Sequence, residues 1–164
     1  MVNPNPGRSI QLATYQGTGI SNSIDVDAAP GLVALAKWKL HNKIQAAVAE
    51  VAPPTGRYNC YGMTFASRRT NVPAPGVDST GLIDQILTED QYVQIPPADV
   101  SEGDIVLWRL GPLVPHTGIV THIERVGIRV IFVASKWGAL GEYVHLPAIS
   151  PSAYRADSER YNMP

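Results

Sequence analysis

The chain is 164 residues long, with 45% apolar residues, 16% charged residues and a formal net charge of −1. That length fits one domain, able to bury roughly two-thirds of its unfolded surface, and the near balance of charge gives no clustered basic face of the kind that nucleic acid requires. A single cysteine, Cys60, can close no internal disulfide and build no multi-cysteine zinc centre. No window approaches the length and apolarity of a membrane span, so no membrane partner is expected. The amino terminus, MVNPNPGRSIQL, lacks a basic stretch followed by an apolar signal-peptide run. The expectation is a chain made in the cytoplasm, for which any export would be signal-independent.

Residues 1–26 carry Pro4, Pro6, Gly7, Gly17 and Gly19 among polar residues and read as an irregular arm. From Asp27 the pattern turns helical. Asp27 can cap, Pro30 sits in a first-turn position, and Leu32, Leu35, Ala36, Leu40, Ile44, Ala47, Val48 and Val51 recur at helical spacing. This predicts one amphipathic helix of about five turns, stopped by Pro53-Pro54, with His41 on its surface. A short second helix is expected to open at or near Cys60 and run toward Arg69, with Asn59 as its cap. Asn71 to Gly76 reads as a loop, and Asp78-Ser79 caps a third helix through Leu82, Ile83, Ile86 and Leu87. Gln91 to Ile95 reads as a short strand ended by Pro96-Pro97.

The second half of the chain reads as strands. Glu102-Gly103-Asp104 turns into a strand over 105–110, a second runs from His116 to Ile123, and "ERVG" turns the chain into a third over 128–135. "GEYVHLP" supplies a fourth, ending at Pro147. Helices followed by strands on short turns predict an α+β domain over 27–149, with helices packed on an antiparallel sheet. Residues 150–164 read as an irregular tail.

A thiol becomes a nucleophile when its pKa falls, and a helix amino terminus lowers it by aiming free amides at the thiolate. Cys60 is placed for that, with His116 as the downstream base on a neighbouring strand. Counting away from a turn centred near Val126 sets His116 opposite Ser135, Lys136 or Trp137. Ser135 has a hydroxyl that can orient the imidazole; Lys136 cannot accept. His122 shares the strand face of His116 but lies about 20 Å along it. His145 reads as an exposed structural histidine, with orientation of His116 as its alternative role. The histidines have no recognised metal-ligand spacing, so neither metal nor cofactor is expected.

The order of Cys60 at a helix start, "GDIVLWR" from Gly103 to Arg109 and "HTGIV" from His116 to Val120 resembles the papain-like NlpC-type cysteine peptidases and their amidase relatives. "SKWGALGEYVH", Ser135 to His145, is similar to the close of a bacterial branch of this fold with a Ser-Lys-Trp-Gly turn. The resemblance runs from about Asn59 to Tyr143. Tyr61-Gly62-Met63-Thr64 follows Cys60 where typical members carry Ser-Gly, and Ser135 stands where His, Asn or Gln is usual. The resemblance implies a papain-like catalytic domain over 27–149, thiolate attack on an amide carbonyl and an acyl-enzyme on Cys60. Its catalytic residues would be Cys60, His116 and Ser135, with Tyr58 as an oxyanion donor and Tyr61 and Trp137 as cleft walls. The implied substrate is a peptide or peptidoglycan-like stem, met as a bacterial effector with an immunity or partner protein. The alternative is a non-catalytic papain-like module that binds a peptide or partner while Cys60 stays protonated.

Overall fold

The structure is a computed structural model, and it describes residues 8–44, 48–73 and 81–149. Among these residues three helices and five strands follow one another: α1 (Pro30–Ile44), β1 (Val48–Ala52), α2 (Cys60–Phe65), α3 (Leu82–Glu89), β2 (Ile105–Leu110), β3 (Leu113–Val126), β4 (Ile128–Lys136) and β5 (Glu142–His145). The strands form one sheet in the order β1-β5-β4-β3-β2, and every neighbouring pair is antiparallel. The expected mixture of helices and an antiparallel sheet is present. Among the described residues no helix is long and apolar enough to cross a membrane.

Among its described residues the arm adopts no helix or strand beyond two isolated bridges, Ala13 with Gly19 and Ser23 with Asn71. It is nevertheless part of the core, because Ile20 is buried against Cys60, Tyr61 and Val72. Asn22 closes the loop of the arm, its amide donating to the Ile10 carbonyl at 2.9 Å while its oxygen accepts from the Ile10 amide at 2.8 Å.

The long first helix is shorter than its periodicity suggests. Residues 30–44 are helical, but Val48–Ala52 is a strand paired with β5, Val48 opposite His145. The apolar spacing of Val48 and Val51 suits either state, and pairing with β5 decides it. Asp27 does not cap α1; its carboxylate accepts the Gly56 amide at 2.6 Å. The side chain of His41 and the expected cap Asp78-Ser79 lie outside the described residues, as does the 150–164 tail. The residue flanking α3 is Gly81, at φ 93°.

Two further differences have local causes. α2 stops at Phe65 rather than running to Arg69, because Ser67 and Arg68 take left-handed backbone, φ 50° and 63°. Gln91 to Ile95 is not a strand: Gln91 is also left-handed, φ 60°, and Tyr92 bonds back to the Leu87 carbonyl, winding the chain off α3. The β3–β4 hairpin turns at Gly127 with Val126 opposite Ile128, one residue later than the count from "ERVG", and a bulge lies between Val120 and His122.

Candidate functional site

α2 begins at Cys60 as the sequence predicts. Asn59 is its cap, its Oδ1 accepting the Gly62 amide at 2.9 Å and the Val72 amide at 3.2 Å, while Nδ2 donates to the Val72 carbonyl at 2.6 Å. Gly62 is required by contact rather than by conformation: a Cβ there would lie 1.8 Å from the Thr70 carbonyl oxygen. The tight seat against the 70–72 segment accounts for a glycine one turn into so short a helix.

The β3 residue that meets Cys60 is Thr117, through its backbone and its side chain. Thr117 also shares a 2.9 Å hydrogen bond with Thr64 of α2. Successive residues of a strand point to opposite faces, so His116 projects away from α2. Its ring lies 5.0 Å from Trp108, its partner across β2 and β3, and it is coupled electrostatically to His145. The thiol and the imidazole occupy the two sides of the sheet.

Ser135 is also turned away from Cys60. Its hydroxyl lies 2.7 Å from His145 Nε2 and accepts the Trp137 indole N–H at 2.7 Å. The Leu146 carbonyl can only accept, so His145 Nδ1 carries a proton that it donates there at 2.8 Å, and with burial holding the ring uncharged Nε2 accepts the Ser135 hydroxyl proton. His145 is therefore a buried neutral imidazole, at 1% exposure, and not the exposed histidine expected. The network joins Ser135, Trp137 and His145, and Trp108 borders it with its ring 5.9 Å from His145. Trp108 donates its own indole N–H to the Pro147 carbonyl.

On the α2 side the charged groups gather at Glu142. Arg68 grips its carboxylate in two bonds, 2.6 and 2.9 Å, and the Tyr58 hydroxyl donates to it at 2.7 Å. The left-handed Arg68 backbone belongs to the turn that carries this guanidinium back over the sheet. Lys136 is fully buried, donating to the carbonyls of Gly138 and Leu140, with its ammonium 5.5 Å from the Tyr58 ring. Lys136, Glu142, Arg68 and Thr117 were absent from the expected site. Strand alternation from His116 points to Thr117, whereas the Arg68–Glu142 contact spans 74 residues and has no local signal.

Burial sets the charge state of both intended catalytic groups. Desolvation pushes the Cys60 thiol up to about 11, although the amides of Thr117 and Tyr61 pull the other way. Desolvation and His145 together hold His116 down to about 3. Burial also brings Lys136 down to about 8, opposed by the Glu142 carboxylate. At neutral pH the site presents a thiol and a neutral imidazole.

The expected cleft residues are in the core. Tyr61 is buried, with its hydroxyl donating to the Val114 carbonyl at 2.5 Å, and Trp137 packs against Tyr143 with ring centres 4.9 Å apart. Tyr58 spends its hydroxyl proton on Glu142. His122 is exposed, 3.4 Å from Glu102, and among the described residues no three His, Cys, Asp or Glu side chains cluster to hold a metal.

A separate groove of about 820 Å³ runs beside β2, lined by residues that include Leu87, Tyr92, Ile95, Ile105, Leu107 and Arg109. It lies between the outer edge of the sheet and the segment that leaves α3. No family model, curated protein or solved structure matches the chain.

Proposed function

We propose that this chain is a binding module on an NlpC-type papain-like frame, which holds a peptide or protein partner and does no thiol chemistry. The observation that carries this reading is the pairing of Cys60 with Thr117 while His116 turns to Trp108 on the far side of β3. A base must come within hydrogen-bond reach of the proton it takes, and strand alternation turns the imidazole to the face of β3 opposite the Thr117 side chain that meets Cys60. The frame is supported by a cysteine-opened helix packed on an antiparallel sheet, with the Gly103-Asp104 turn leading into β2. The groove beside β2 provides a surface for a ligand.

One observation favours the hydrolase reading instead. The amides of Thr117 and Tyr61 are directed at the Cys60 sulfur and lower its pKa, which is how a helix start activates a thiolate. In that reading Cys60 attacks the amide carbon, His116 returns the proton to the leaving amine, and water releases the acyl group. Turnover separates the two. With peptidoglycan stem peptides and amide-linked peptides as substrates, the binding module releases no more amine than its Cys60→Ala variant. Amine release by the wild-type chain that is lost in Cys60→Ala would establish the hydrolase.

A further inference from the structure

We infer that β2 accepts a strand from another protein, an extended peptide with uncharged apolar side chains at alternate positions. This rests on the binding reading above and names the ligand of that module. β2 stands last in the sheet, bonded to β3 alone. Among the described residues no backbone hydrogen bond reaches its outer side. A row of unpaired amides and carbonyls is a template for one more strand.

At the other edge of the sheet, β1 is five residues long and the carboxylate of its Glu50 holds Lys37 of α1 at 2.7 Å. β2 reads IVLWRL, and its one charge, Arg109, is drawn onto Asp84 of α3 at 2.6 Å. Asp104, at the head of the strand, accepts the Ser101 amide at 2.6 Å. Within the groove the one cation is thus paired, and the apolar side chains that line it call for an apolar occupant.

Ile105, Val106, Leu107 and Arg109 line the groove, and Ile105, Leu107 and Arg109 fall on one face of the strand. Facing them is the segment after α3, where Tyr92 is 46%, Val93 80% and Ile95 37% exposed. Three apolar side chains in water beside an unpaired edge are a surface that a partner covers. Six residues of β2 extend about 20 Å, so the added strand is about six residues long. Its backbone extends the sheet and its alternate side chains pack on Tyr92, Val93 and Ile95.

The test uses a phage-displayed library of random peptides, each about twelve residues, panned on the full chain. The most enriched sequence is then synthesised. The expected result is an alternating apolar sequence that slows amide hydrogen exchange at residues 105–110. Its affinity should fall at least about tenfold in Val93→Glu, a solvent-facing change that leaves the core intact. Enrichment equal on Val93→Glu, or protection confined to other amides, overturns the inference. So does protection of 105–110 that rises with protein concentration in the absence of peptide, which would mean that two copies pair. Failure here leaves the non-catalytic reading standing, because turnover by Cys60 decides that separately.

Discussion

At Cys60 two influences oppose each other. The helix start, with Asn59 capping and the Tyr61 and Thr117 amides nearby, favours the thiolate, while burial favours the thiol, and burial is the larger. The first influence is legible in the sequence as an Asn before a short apolar run. The second is not, because Cys60 is buried in one cluster with Ile20 of the arm and Val72 beyond α2, partners that no local pattern encodes. Asn59 has more to do than cap a helix, since it also ties α2 to Val72. Replacing it leaves the Gly62 and Val72 amides without their acceptor. Asn59→Ala is expected to lower unfolding free energy by about 2 kcal/mol, the upper end for a cap, as measured by urea denaturation. A loss below about 0.5 kcal/mol would mean that water satisfies those amides.

At the level of elements, the strands of the second half follow their alternation and turn signals, and β2 to β5 lie close to where the sequence puts them. The failures occur where long-range pairing overrules local period. Val48–Ala52 joins β5 as a strand, and Gln91 to Ile95, β-rich in composition, coils away after a left-handed residue. The hairpin count sets His116 across from 135–137, whereas β3–β4 pairing starts at Ile119 opposite Ala134 and His116 pairs with Trp108 of β2. Which face it takes was beyond that count, since one residue of register reverses every side chain. Glu142 is the joint between β5 and the turn after α2. Glu142→Ala removes the carboxylate that supports the charge of buried Lys136 and frees Arg68 and Tyr58. With the guanidinium about half exposed and partly screened, the expected loss is about 2–4 kcal/mol. Arg68→Ala is expected to cost less, about 1 kcal/mol, because it leaves Lys136 beside the carboxylate. Equal losses in the two variants would contradict this division.

Among the described side chains two imidazoles are buried and neutral, His116 and His145, both lowered by burial. An unfolded chain protonates its histidines near pH 6.5, whereas the folded one holds His116 neutral down to about 3. Below pH 6.5 the unfolded state therefore binds more protons, and stability falls as pH falls. Between pH 6.5 and 4.5 the share of the slope due to His116 is expected to approach about 1.4 kcal/mol per pH unit, with His145 adding in the same direction. His116→Phe removes its share. A flat urea midpoint across that range would show that the imidazoles are already solvated. The same burial bears on the central claim, that the sheet separates the thiol from the imidazole. The most direct measurement is the rate of Cys60 alkylation by iodoacetamide against pH, in the folded wild type and in His116→Ala. A midpoint above the reference thiol value of about 8.5, unchanged by His116→Ala, is the predicted result. A midpoint well below that value that rises when His116 is removed would contradict it and put thiolate and base in one site.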